Sequence, residues 1–127
     1  MNKGSCQCGA VTYKTAAELR PVVGCHCTQC RKTSGHFWAA TQVATDALNI
    51  TNDAGLKWFR ASDTARRGFC QDCGSSLFWQ MDSEPFTSIG AGTLDGVTGL
   101  TTAKHIFVKD KGDYYDICCH AQQIDTY

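Results

Sequence analysis

A mainly-β domain is what this sequence predicts, on three observations. Apolar and polar residues alternate over short runs, as Val11 and Tyr13 do against Thr12 and Lys14. Turn-forming clusters such as Asn52-Asp53-Ala54-Gly55 separate those runs at short intervals. Seven of the nine cysteines fall into three tight groups, which suits strands tied together by metal thiolates. No stretch carries a long apolar 3.6-residue period, and only Ala16 to Arg20 hints at a helical turn. The 127 residues allow one domain with a modest core, helped by metal or self-association. Residues 1–127 are therefore read as a single zinc-binding domain.

The elements follow in order. Gly4 to Thr15 reads as a strand with a Cys-rich start, in which Gly9 lets the chain turn two thiols toward a metal. Leu19 to Gly24, with Pro21, reads as a short edge strand or connector. After a loop at Cys25–Cys30 come strands at Phe37 to Val43, Leu48 to Ile50 and Leu56 to Arg60. Arg66 to Phe69 runs into the Cys70 pair and Ser76 to Trp79 runs out of it, the pattern of a zinc-ribbon knuckle. Phe86 to Ile89 is a further strand, Gly90 to Gly96 a loop, and Ile106 to Val108 the last strand.

Composition narrows the function. Twelve Lys and Arg balance twelve Asp and Glu, so the formal net charge of zero offers no general attraction for nucleic acid or an anionic membrane. With no basic stripe or helical reader, nucleic acid is not an expected partner. No run approaches the length of a transmembrane helix, and no apolar leader precedes the first Cys pair. The expected compartment is the cytoplasm. There, nine closely spaced cysteines, an odd number, fit zinc or iron ligation better than a disulfide framework.

Cys25-His26-Cys27-Thr28-Gln29-Cys30 holds three thiols, one too few for a closed four-thiolate site. Cys6-Gln7-Cys8 and Cys70-Gln71-Asp72-Cys73 together hold four, enough for a closed tetrahedral shell around structural zinc, whose binding energy becomes folding energy. The second pair, followed by Gly74, is the stronger signal; for Cys6 or Cys8 a plain buried thiol is the alternative. The triplet is left with three thiolates and an open fourth position, where zinc would act as a Lewis acid and lower the pKa of a substrate thiol. The alternative is a shell closed by His26, or by Cys118, Cys119 or His120 from the tail. His26 lies between two ligands and is expected to point away from the metal that both face.

Arg31 and Lys32 adjoin the triplet, and Arg60, Arg66 and Arg67 flank the Cys70 pair. Such cations suit a substrate with carboxylates and, equally, a solvated surface or the offset of thiolate charge. Ser34 and Gly35 read as a turn, and His105 as structural. Phe37, Trp38, Phe59, Phe69, Phe78 and Trp79 read as core, with Trp38 or Trp79 available to wall a pocket.

Several stretches also carry a resemblance. Gly4-Ser5-Cys6-Gln7-Cys8-Gly9, then Cys25 to Gly35, Arg67 to Phe78, Gly92-Thr93-Leu94-Asp95 and His105-Ile106-Phe107-Val108 resemble, in order, the family of glutathione-dependent formaldehyde-activating enzymes and centromere protein V. The resemblance implies a β-rich, zinc-containing Mss4-like fold. It implies structural zinc on Cys6, Cys8, Cys70 and Cys73, and catalytic zinc on Cys25, Cys27 and Cys30. The family's named activity is the reversible condensation of glutathione with formaldehyde, a carbon–sulfur lyase reaction. Arg31, Lys32 and Arg67 would hold the carboxylates of a glutathione-like thiol. The tail from Tyr114 to Gln123 departs from the family's usual ending and would alter substrate preference if it lined the pocket. The expectation is thus a two-zinc lyase acting on adducts of a small thiol and a small aldehyde. Its rival is a zinc-stabilised protein-interaction module, and the sequence leaves a homodimer open.

Overall fold

The computed structural model describes residues 1–118 and 120–127. Among these, β1 (Asn2–Ser5), β2 (Thr12–Thr15) and β5 (Asn49–Asn52) form a small sheet in the order β1-β2-β5. The larger sheet uses β3 (Val22–Cys25), β4 (Trp38–Ala44), β6 (Leu56–Arg60), β7 (Ala65–Cys70), β8 (Ser76–Met81), β9 (Phe86–Gly90), β10 (Thr102–Ile106) and β11 (Gln122–Gln123). Its order is β11-β10-β3-β4-β9-β8-β7-β6. The chain is mainly β, as predicted.

Strand alternation gives the large sheet two unlike faces. On one face Val43, Phe78 and Ile89 pack with Val11 and Tyr13 of the small sheet, forming the core together with Leu19, Leu77, Cys6 and Cys70. Tyr13 meets Phe78 edge-to-face at 5.4 Å between ring centroids. The opposite face carries the other residues of the same strands: Val23 and Cys25, Trp38, Ala40 and Gln42, Ser88, Trp79 and Arg67. One α-helix among the described residues, α1 (Thr28–Ser34), follows β3.

Four local expectations change. The run from Gly4 to Thr15 is two strands, because Cys6 and Val11 close a turn through Cys6 N–H to Val11 O at 3.0 Å. The predicted edge strand at 19–24 is interior, with β3 between β10 and β4. Pro21 does not interrupt it, since the ladder begins at Val22, whose N–H donates to Thr101 O at 2.9 Å. The last predicted strand begins and ends earlier, at Thr102–Ile106, because Phe107 turns left-handed at φ 54. Helix forms at Thr28–Ser34 rather than at 16–20. Among the described residues no helix is long and apolar enough to cross a membrane.

Candidate active site and metal centres

Two matching knuckles build the four-thiol cluster. Cys6 and Cys70 each open a tight turn, closed by Cys6 N–H to Val11 O and by Cys70 N–H to Ser75 O, both at 3.0 Å. Gly9 (φ 85) and Gly74 (φ 82) take the left-handed conformation that bends each turn back. Gln7 N–H donates to Ser75 Oγ at 3.0 Å and links the knuckles directly. Gly55 lies so close that a Cβ would fall 2.9 Å from Cys70 Sγ. The four sulfurs all lie within 4.8 Å of one another. A tetrahedral shell with Zn–S near 2.3 Å requires sulfur pairs about 3.8 Å apart. Cys6–Cys8 and Cys8–Cys70 are each separated by 3.7 Å, so the donor set fits zinc. The Ser75 hydroxyl, with the Ser75 and Cys8 backbone N–H groups, pulls the Cys73 thiol down to about 5, favouring the thiolate a metal needs.

The three-thiol cluster is local. Cys25 ends β3, Cys27 caps α1 by accepting the Cys30 N–H at 3.3 Å, and Cys30 sits buried in the first turn. Gly35 ends α1 left-handed at φ 85, its N–H on Arg31 O at 2.8 Å. Ser34 Oγ donates to Cys30 O at 2.7 Å, a helix-end role in keeping with the turn expected there. The three sulfurs lie within 4.8 Å of one another, and among the described residues no fourth such donor joins them at that spacing. Hydrogen bonds from the Cys25 and Cys30 thiols, with the Cys30 and Gln29 N–H groups, pull the Cys27 thiol far below its ordinary value. Cys25, held by Cys27 and Cys30, is pushed up in turn. Protons crowded onto three adjacent sulfurs are what a divalent cation would displace.

His26 turns away from these sulfurs, as expected. It is fully buried and stacks on Phe37 at 4.6 Å. Its Nε2 meets His105 Nδ1 at 2.8 Å, and its Nδ1 meets the Tyr115 hydroxyl. Burial, with nearby His105, His36 and Lys111, lowers the His26 pKa to about 4, so the ring is neutral at pH 7. The chain is satisfied when Tyr115 O–H donates to His26 Nδ1 and His26 Nε2–H donates to His105 Nδ1. Gly24 makes room for it, because a Cβ there would lie 2.7 Å from His105 Nδ1. Lys111 Nζ donates to Tyr115 O at 2.7 Å within the tail, and Tyr114 Oη meets His36 Nδ1 at 2.7 Å, a second tie between the tail and the segment after α1.

Beside the triplet, on the face of the large sheet opposite the core, lies a cavity of about 570 Å³. Cys25, Cys27 and Cys30 line it, as do both tryptophans suggested as pocket walls, Trp38 and Trp79. Arg67 also lines it, buried. Its Nη2 donates to Cys30 Sγ at 3.1 Å and its Nε to Gln29 Oε1 at 2.8 Å, while the guanidinium lies 5.3 Å over Trp38. Those two acceptors and the indole offset the desolvation of its charge. Arg31 and Lys32 lie on α1 outside the cavity lining; Arg31 Nε is buried with no hydrogen-bond partner among the described residues. Arg66 bonds Gln80 and covers Trp58, and Arg60 pairs with Asp82 at the surface. Tyr127 reaches the cavity from the tail; Cys118 and His120 are exposed; Cys119 lies outside the described residues.

Sequence reasoning missed Gln29, Gly24, Tyr115 and Tyr127. Gln29 lay inside the triplet and was readable as a helix-borne polar group. The partnership of His26 with Tyr115 spans 89 residues and leaves no local signal.

Fold and clusters together define a class: a mainly β fold with two thiol clusters that could each hold a metal, one of them in a cavity wall. The model of the glutathione-dependent formaldehyde-activating enzyme family matches residues 1–110, and the chain belongs to that family. An uncharacterised lyase of Schizosaccharomyces pombe is 28% identical over 90% of this chain and 83% of its own length. A Halomonas elongata protein named "Putative glutathione-dependent formaldehyde-activating enzyme" is 27% identical over 91% of this chain and 80% of its own. Among solved structures, a Rhodobacter sphaeroides protein is similar with a TM-score of 0.61 and 28% identity, over 76% of this chain and 91% of that one. The tail from residue 111 lies beyond the family match.

Proposed function

We propose that this protein is a carbon–sulfur lyase that forms or cleaves adducts of a small thiol and a small aldehyde, glutathione and formaldehyde being the pair its family name suggests. The observation that carries this is the convergence of Cys25, Cys27 and Cys30 on one cavity wall, with Arg67 directed at Cys30. Residues 1–127 would act as one domain with two zinc ions. Cys6, Cys8, Cys70 and Cys73 would hold the structural ion, and Cys25, Cys27 and Cys30 the catalytic one. When bound at the triplet, zinc supplies the Lewis acidity that lets a thiol ionise at neutral pH.

The protein's own groups supply placement. Arg67 offsets negative charge at Cys30. The Tyr115–His26–His105 chain holds the Cys25–Cys27 loop in its turn, and Trp38 and Trp79 restrict water beside the sulfurs. In the forward direction the thiol sulfur bonds to the carbonyl carbon, the C=O π pair moves to oxygen, and the thiol proton ends on that oxygen. The reverse breaks the carbon–sulfur bond and returns the proton, with no net redox change. Arg67 would also orient a carboxylate through its remaining donors, and Arg31 and Lys32 on α1 would hold carboxylates outside the cavity.

The test is zinc stoichiometry under reducing conditions, native mass spectrometry with glutathione, and exchange NMR of the glutathione–formaldehyde adduct. Two zincs, a thiol adduct lost in Cys27→Ser, and accelerated exchange are expected. Absence of both adduct and acceleration would favour the interaction module.

A further inference from the structure

The cavity beside the triplet suits something other than a one-carbon carbonyl. Its volume of about 570 Å³ falls within the roughly 300–1,000 Å³ of sites that enclose drug-sized ligands. Strand register lays out its floor in rows. Cys25 pairs with Trp38, next to Ile106; Val23 pairs with Ala40, which faces Gly90; Gln42, Ser88, Trp79 and Arg67 form a third row. Beyond them lie Met81 and Phe86. Within the cavity lining the first two rows are apolar apart from the thiol; Lys104, the β10 partner of Val23, lies outside the lining with its ammonium over the Tyr127 ring.

Polar groups further in are largely committed. Gln42 Nε2 donates to Ser88 Oγ at 3.3 Å. Arg20 Nη2 donates to Ala40 O at 3.0 Å and its Nε to Pro21 O at 3.3 Å. Glu84 is also in the lining. A charged peptide arm laid across Val23, Ala40 and Trp38, away from Arg67, would leave its own polar atoms unpaired, whereas a hydrocarbon arm would leave none.

We infer that the site takes a thiol adduct bearing an apolar arm, an alkyl chain or a single ring, which lies along the Val23–Ala40–Trp79 floor while the sulfur sits at the triplet. This rests on the lyase reading for the sulfur's position and goes beyond it in naming the arm. Either component could bring the arm, since the thiol's substituent is on the sulfur and the aldehyde's is on the carbon bonded to it. The glutathione portion of an adduct, if present, would lie outside the floor.

The experiment uses the zinc-loaded full chain and two substrate series followed by exchange NMR. One pairs glutathione with propanal, pentanal, heptanal and benzaldehyde, with formaldehyde as reference. The other pairs formaldehyde with propanethiol, pentanethiol and heptanethiol. The linear aldehydes have similar carbonyl reactivity, so a trend among them reports on the arm. In parallel, dissociation constants of unreactive S-alkyl thioethers are read from tryptophan fluorescence, which Trp38 and Trp79 place in the cavity wall.

Expected is a rise in kcat/KM of about fourfold per methylene in one of the two series, the transfer free energy of a buried methylene, with the same gradient in thioether binding. The series that rises identifies which component bears the arm. Ala40→Phe, which fills the floor, should flatten the gradient; Phe86→Ala, at a partly exposed site, should remove only its last steps. Turnover of the formaldehyde–glutathione adduct with both gradients flat would overturn the inference and leave the lyase reading standing. A thioether gradient without turnover of any adduct would support the apolar site and overturn the lyase reading. Flat binding and no turnover would overturn both.

Discussion

The four-thiol cluster gathers sulfurs from two hairpins, with Cys8 and Cys70 separated by 62 residues, whereas the three-thiol cluster takes its sulfurs from six consecutive positions. A metal in the first closes a long loop and joins the small sheet's entry to the large sheet, so its binding acts on the stability of the whole fold. A metal in the second closes almost nothing. The Cys27 cap, the α1 turn and the buried His26 chain already shape that site. The difference teaches which site would tolerate an open coordination position if a metal were bound: the one whose frame is closed by local protein contacts.

Substitutions at four positions would break or sharpen that contrast. The largest effect is expected from Cys73→Ser, which should remove one zinc and cost at least about 3 kcal/mol, roughly 10 °C or more in Tm for a domain of this size. Calorimetry with metal analysis reads both. If Cys73→Ser melts like the parent while Cys27→Ser unfolds, the assignment of structural and catalytic sites is reversed. Cys27→Ser should abolish thiol capture in native mass spectrometry and remove the other zinc, yet shift Tm by no more than about 3 °C.

Arg67→Met should weaken zinc at the triplet by about 10- to 100-fold, as loss of a ligand's hydrogen-bonded support does, without touching the four-thiol site. Chelator competition resolves the two populations. Arg67→Lys should not restore affinity, since one ammonium cannot reproduce the planar fork that reaches both Gln29 and Cys30. The smallest effect belongs to Tyr115→Phe, which deletes only the hydroxyl on His26 Nδ1. A loss of about 1 kcal/mol and a lowered zinc affinity confined to the triplet are expected, measured by denaturant unfolding and competition. An equal loss at both sites would show that the tail supports the fold at large and has no special link to the triplet.

Much of this organisation was legible in the linear chain. Cys70-x-x-Cys73-Gly74 announces its knuckle by spacing alone, and the division of seven thiols into four and three needs only arithmetic. Alternation at Trp38–Ala44 and Leu56–Arg60 marks real strands. What stayed hidden depends on partners distant in sequence. Residues 19–24 with Pro21 look like an edge until β10, some 80 residues on, pairs alongside in parallel. Helix α1 buries only Cys30, so it has no apolar stripe to reveal it; its signals are the Cys27 cap and Gly35. Arg67 reads as one of several cations suited to a carboxylate or to a solvated surface, and only folding sets its guanidinium over Trp38 and against Cys30. Gly24 looks like any strand glycine until His105 arrives beside it.

The two-faced large sheet has a consequence for how this protein could change. Along β4, Thr41 and Val43 lie buried on one side while Ala40 and Gln42 line the cavity on the other. Neighbouring codons therefore answer to different selective pressures. A mutant library restricted to Ala40, Gln42, Met81 and Ser88 would vary what the chamber admits and leave the interior packing unchanged. Drift along one side of a strand can retune chemistry while the other side keeps its shape.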